Sequence, residues 1–146
     1  MRYQFVLSGA VMGAALLLGA TACGQKKISE CNALIEVINK GVESLGKSPK
    51  AGADPSGTAE LKSMADSMDK VAADAAKVEL TLPELKKYSA DYQTMAKDVA
   101  KAARDMAAAA DAKDLAKINA AQGALDKAVK QEDPLVDQIN KFCQAP

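Results

Sequence analysis

Few side chains in this sequence are equipped for chemistry. Cys23, Cys31 and Cys143 are the only thiols, and a thiol can be acylated, oxidised to a disulfide or bound to a metal according to its neighbours and compartment. Met64, Met68 and Met95 offer thioethers, which suit Cu(I). At about 1.5 Å per residue, Met68 and Met95 fall at similar heights on facing helices, with Met64 one turn away. The plainer reading is core filling, because no His and no Met-x-Met repeat accompanies them. Glu132 falls on an inward helical position near the level of Tyr92, where a carboxyl bonded to a phenol would have a raised pKa and acid–base capacity. Against that, Pro134 shifts the register and turns Glu132 toward water. No second carboxylate shares its face to make a pair.

The absences exclude more than the presences suggest. There is no His and no Trp in 146 residues. Without His, neither a Ser-His-Asp nor a Cys-His arrangement can be assembled, and His-ligated haem is excluded. Two distal cysteines with no nearby His are poor zinc ligands. The expectation is a protein that is not an enzyme and has no cofactor and no metal.

The N-terminus carries an address. Arg2 is followed by an apolar run from Phe5 to Leu18 and small residues at Gly19, Ala20, Thr21 and Ala22, the order of a secretory signal. Ala20-Thr21-Ala22-Cys23 resembles the lipobox of bacterial lipoproteins. The resemblance covers the first 24 residues, and no family is recognised for the remainder. It implies removal of residues 1–22, diacylglycerylation of the Cys23 thiol and three acyl chains on the mature N-terminus. A single chain holds a protein only marginally, whereas several anchor it stably. Gly24 stands where an inner-membrane retention signal would carry Asp, so the resemblance points to the periplasmic side of the outer membrane. The same residues also read as an ordinary cleavage site, Ala20-x-Ala22, or as a retained helix, which Gly9, Gly13, Gly19 and the modest length oppose. All three readings export the chain.

With Cys23 acylated, Cys31 and Cys143 remain as an even pair in an oxidising compartment, and a disulfide is the default. It would close a loop of about 112 residues, contributing up to about 4.7 kcal/mol in the chain-entropy account. The expected organisation is a signal peptide over 1–22, a lipidated cysteine and short tether over 23–27, and a helical domain over 28–146. The mature part has 18 basic and 19 acidic residues. This balance argues against nucleic acid, whose binders need a basic stripe.

The elements that must position these groups are helices. Ser29 is expected to cap the first, with Glu30 favourable in its first turn and Gly46 at its end. Ile28, Cys31, Leu34, Ile35, Ile38, Val42 and Leu45 recur at three and four along it. Residues 47–58, with two prolines and two glycines, read as a loop. The second helix starts at Ser56 or Thr58 and carries Leu61, Met64, Ala65, Met68, Val71, Ala72, Ala75 and Val78 on one face. Asp66 and Lys70 would pair on its outer side.

Thr81-Leu82-Pro83-Glu84 reads as a restart with Pro83 at the first helical position. The third helix shows the longest seam: Leu85, Tyr88, Tyr92, Met95, Val99, Ala102, Met106 and Ala109. Asp111 or Asp114 would cap a fourth, and one helix from Pro83 to Lys130 is the competing reading. The fourth repeats the seam through Leu115, Ile118, Gln122, Leu125, Val129, Glu132, Val136, Ile139 and Cys143, with a kink or restart at Pro134 capped by Asp133.

Four helices and three short connections predict an all-α, up-down-up-down four-helix bundle, which brings Cys31 and Cys143 to the same end. Alanines at Ala72, Ala75, Ala102, Ala109, Ala116, Ala121 and Ala128 imply close helix approach. Lys26, Lys27, Lys86, Lys87 and Lys141 would form a basic collar at the tethered end, facing anionic lipid. Glu30, Glu79 and Glu84 offset it, so ordinary solvated charge is the simpler reading. The functional expectation is a lipid-anchored structural or interaction module of the bacterial envelope, with the membrane and an envelope protein as partners. The second reading is a periplasmic carrier of a metal or small ligand.

Overall fold

Helix-favouring residues fill this chain, and its breaks fall where a backbone N–H is missing or a chain reversal is capped. The structure, a computed structural model, describes residues 19–46 and 57–145, apart from the side chains of 19–23 and 44–46. Most of the expected leader (1–18) and most of the expected Pro/Gly loop (47–56) lie outside the described residues. The described chain is all-helical: α1 Gly19–Gly46, α2 Thr58–Ala76, α3 Pro83–Asp111, α4 Leu115–Val129 and α5 Glu132–Gln144. They form four packed rods, of which α4 and α5 are one rod with a break.

The central rod is α3, which packs against each of the other helices. Its expected seam is buried at Leu85, Tyr92, Met95, Val99, Ala102 and Ala109. A second row, Ser89, Ala96, Ala100, Ala103 and Ala107, is buried as well. Alanine is only weakly apolar, so this second face does not announce itself in the sequence. In the fold its small side chains let neighbouring axes come close. The α2 and α3 helices run antiparallel. Lys62 meets Asp111 at 3.1 Å, Arg104 meets Asp66 at 2.9 Å and Asp69 at 2.6 Å, and the Ser89 hydroxyl donates to the Ala75 carbonyl at 3.2 Å. Asp66 therefore pairs across helices rather than with Lys70, which turns to Asp74.

Each connection has a local cause. Leu82 is extended, with ψ 125°, and Pro83 takes the first helical position of α3, where its missing N–H costs nothing. The reversal after α3 rules out one helix from Pro83 to Lys130. Lys113 adopts φ 54°. The Asp114 N–H donates to the Ala109 carbonyl at 2.9 Å and the Lys113 N–H to the Ala110 carbonyl at 3.0 Å. This is a Schellman closure with lysine where glycine is usual. The Asp114 side chain then accepts from the Lys117 N–H at 3.1 Å and caps α4.

The break in the fourth rod falls at Lys130–Gln131, and Pro134 lies in the first turn of α5. Asp133 is therefore not the cap. Pro134 has no N–H to offer the Lys130 carbonyl one turn back, so the ladder fails before the proline rather than at it.

Two further expectations are corrected. The α1 helix is 28 residues long and includes Gly24–Lys27, so Ser29 is interior rather than a cap. The α4 helix presents Ala121 and Ala128 to the interior, leaving Leu115 74% and Val129 47% exposed and Ala116 on the surface. Alanine allows a closer approach to α3 than leucine would. The remaining neighbour for the leucine side, α1, touches α5 but not α4. Among the described residues the Cys31–Cys143 end is closed by the disulfide, and Val42 of α1 is 51% exposed.

Helices α1 and α2 approach closely at Gly41, where an added Cβ would sit 2.6 Å from Val71 Cγ2 and 2.9 Å from Cγ1. Val71 is short and branched, so it cannot swing aside. Gly41→Ala is expected to destabilise the protein by about 1–3 kcal/mol through overpacking. Gly123 in α4 has nothing within 4 Å, so Gly123→Ala should stabilise by about 0.5–1 kcal/mol from helix propensity. Urea denaturation of the two variants, opposite in sign, checks the packing.

Candidate functional site

The chemistry-bearing residues gather at one end of the rods, around a single turn of α1. Cys31 and Cys143 are joined there, Sγ to Sγ at 2.10 Å and Cα to Cα at 5.8 Å, across 112 residues of sequence. The preceding residue, Glu30, is buried and points the other way. Its carboxylate accepts from the Thr81 N–H at 2.9 Å, the Leu82 N–H at 3.1 Å and the Thr81 hydroxyl. Leu82 is the N-cap of α3 and has no side chain able to cap. Glu30 of α1 thus satisfies free N–H groups at the start of α3 with a negative charge where one is favourable. These bonds, led by the Thr81 hydroxyl, hold the Glu30 carboxyl below its ordinary value.

Sequence reasoning placed Glu30 in a first turn and in the collar, and missed this role. A signal existed: a restart capped by Leu82 must borrow its acceptor from elsewhere in the fold.

Lys27 completes the cluster. Its ammonium donates to the Ala145 carbonyl at 2.6 Å and lies 4.8 Å from the centre of the Phe142 ring. Phe142 in turn meets Tyr88 edge-on at 6.0 Å. The collar is therefore not five free charges. Lys27 is engaged with α5, and Lys87 pairs with Asp91 at 2.7 Å. Lys26, Lys86 and Lys141 are exposed. The Cys23 backbone belongs to α1, and its side chain lies outside the described residues. Among the described residues no helix is long and apolar enough to cross a membrane.

The other candidates sit in the core. Met68 and Met95 are buried in one cluster with Leu34, Val71 and Val99, and Met64 packs against its edge. Among the described residues no three His, Cys, Asp or Glu side chains gather as a metal site. Tyr92 is buried, and its phenol is pushed up to about 12 by burial and then by the charge of Glu132. Glu132 is half-buried rather than turned to water, because the helix breaks before it and keeps it in register with Leu135 and Ile139. Burial, then Asp133, raises its pKa. Both groups are thereby biased to their neutral forms, and no nucleophile stands with them. A groove of about 420 Å³ between α3 and α4 is floored by Ala108, Ala109, Ala120 and Ala121, with Asp105 and Lys117 at its rim. Methyl groups supply no convergent polar contacts to orient a ligand.

No protein-family model matches this chain, and no match is found among curated proteins or solved structures.

Removing the disulfide by Cys143→Ser is expected to cost about 2–5 kcal/mol, because the unfolded chain regains the freedom the cross-link removes. Urea titrations with and without reductant should then coincide for the variant and differ for the parent.

The two glutamates predict opposite pH limbs. Glu30 has a depressed folded pKa, so its contribution is full above the ordinary 4.5 and is lost as pH falls through the folded value. Glu132 has a raised one, so its ionisation penalty is absent below 4.5 and grows as pH rises through the folded value. Glu30→Gln should lower stability at pH 7 and flatten the acid limb. Glu132→Gln should raise stability at pH 7. Thermal melts between pH 3 and 8 check both signs.

Proposed function

We propose that this chain is a non-enzymatic, lipid-anchored helical-bundle protein of the bacterial envelope, held at the periplasmic face of the outer membrane through Cys23. Residues 1–22 are its signal peptide, and the mature rods form an up-down-up-down four-helix bundle stapled by Cys31–Cys143. Its role is structural or protein-binding, close to the membrane surface.

The observation that carries this reading is the pairing of the two distal cysteines, with the third in a lipobox-like sequence. A half-buried structural disulfide belongs to an oxidising compartment, and the leader supplies the route there. The interior supports a scaffold: alanine-packed helices, methionines enclosed by apolar neighbours and a groove without convergent polar groups. A carrier of metal through Met64, Met68 and Met95 ranks behind it, because thioether binding would require opening that core.

Intact mass of the protein extracted from bacterial membranes tests the reading. The expected mass lacks residues 1–22, carries a diacylglyceryl group and an N-acyl chain on Cys23, and lacks the two hydrogens lost on disulfide formation. An unprocessed, unacylated precursor in the soluble fraction would overturn it.

A further inference from the structure

We propose that the outer face of α4 docks on the same face of a second copy of this chain, the two α4 helices packing antiparallel across a two-fold axis at Gln122. The inference rests on the protein-binding role proposed above, to which it gives a partner, and needs nothing of Cys23.

The surface is left over by the way α4 packs. Ala121 and Ala128 are its buried residues. Among the described residues α4 packs against α3 and α5 and against neither α1 nor α2. Round the helix from those alanines, Leu115 is 74% and Val129 47% exposed, and Ile118 and Leu125 are half-buried. Asn119, Gln122 and Asp126 are exposed, and their side chains have no hydrogen bond or ion pair among the described residues.

The order of these residues says what covers the face. Leu115 and Val129 stand about 10 Å above and below Gln122, each within about 20° of its direction. Ile118 and Leu125 fall about 40–60° round on the side nearer Ala121, and Asn119 and Asp126 fall about as far round on the other. A two-fold axis at Gln122, perpendicular to the plane of two antiparallel helices, exchanges top for bottom and sets each side against its own kind. Leu115 then meets Val129 of the second copy, and Ile118 meets Leu125. The Asn119 amide donates to the Asp126 carboxylate, and the two Gln122 amides donate and accept reciprocally on the axis. The two Asp126 side chains stay about 12 Å apart along the helices. The face is thus its own complement in both apolar and polar groups. A parallel pair would cross the sides and press Asp126 against Leu125, burying a carboxylate without a donor.

Size sets the strength. The α4 rod is about 22 Å long and a helix face about 10 Å wide, so the pair buries less than the roughly 1,600 Å² of a standard stable interface. The association is therefore reversible and forms where the protein is concentrated.

Cysteine cross-linking of the full-length chain, purified in detergent at about 0.1 mM and oxidised with copper phenanthroline, tests contact and register together. The parent chain gives the baseline for Cys23. Gln122→Cys is expected to form covalent dimer about ten-fold faster than Leu115→Cys or Val129→Cys alone. In the antiparallel register each of the latter stands about 21 Å from its own copy, and a disulfide needs Cα atoms within about 7 Å. Leu115→Cys mixed with Val129→Cys should link at the fast rate, and Leu115→Asp added to Gln122→Cys should remove the advantage. Equal rates for the three single variants would mean random collision and overturn the proposal. Self-linking of Leu115→Cys as fast as Gln122→Cys would mean a parallel pair and overturn it too. So would a Gln122→Cys chain that stays monomeric: a thiol that resists alkylation means the chain covers its own face, and a freely alkylated one leaves the face to a different protein. The acyl mass on Cys23, read on the same sample, is independent of all these outcomes, so failure of the docking and failure of the anchoring are told apart.

Discussion

One turn of α1 carries the constraint on which the other contacts depend. Glu30 and Cys31 are adjacent, point in different directions and are both buried. Through Glu30, α1 holds the connection between α2 and α3. Through Cys31 it holds the end of α5. Chain segments 51 and 112 residues away are thus registered to neighbouring side chains. Burying an ionised carboxylate is costly unless its oxygens are satisfied, and three donors satisfy them here. Displacing the α2–α3 connection would strand the carboxylate and free the Thr81 and Leu82 N–H groups together, so the two features stabilise one another.

The opposite end is built on weaker principles. Above the break at Lys130–Gln131 the contact between α3 and α4 is made largely by alanine. Each methyl group contributes little, but many contacts at short interaxial distance add up. The cost is that Leu115 and Val129 of α4 are left at the surface, while Leu125 is partly buried against the core. The interhelical ion pairs of Arg104 and Lys62 orient α2 on α3 at this end. They are exposed, and such pairs set register more than they stabilise. The molecule is therefore graded, from a covalently and ionically pinned end next to Cys23 to an alanine-packed end away from it.

Much of this was legible in the linear chain. The three-and-four spacing of α2 and α3, Pro83 at a helix start and Asp114 at a cap are local effects, decided within a few residues. The pairing of Cys31 with Cys143 followed from counting thiols once Cys23 is assigned to lipid. The rotation of α4 was not legible, because Leu115 and Val129 outrank Ala121 and Ala128 on any hydrophobic pattern. The reversal after Asp111 was legible only as one of two readings, a turn or a continuous helix, because no glycine marks it and lysine seldom takes a positive φ. The place of Glu132 was misjudged because the effect of Pro134 appears one turn before the proline.

By itself, then, the sequence determined the helical elements, most of their ends and the exclusion of histidine-based chemistry, since these depend on residue type and short-range spacing. The fold alone decided that α3 is buried on two faces, that Glu30 of α1 holds the backbone entering α3, and that α1 runs unbroken past Lys27. The physical reason is common to all three. Each depends on which surface another element presents at that height, and that is set by axial distance and by the capping needs of distant backbone.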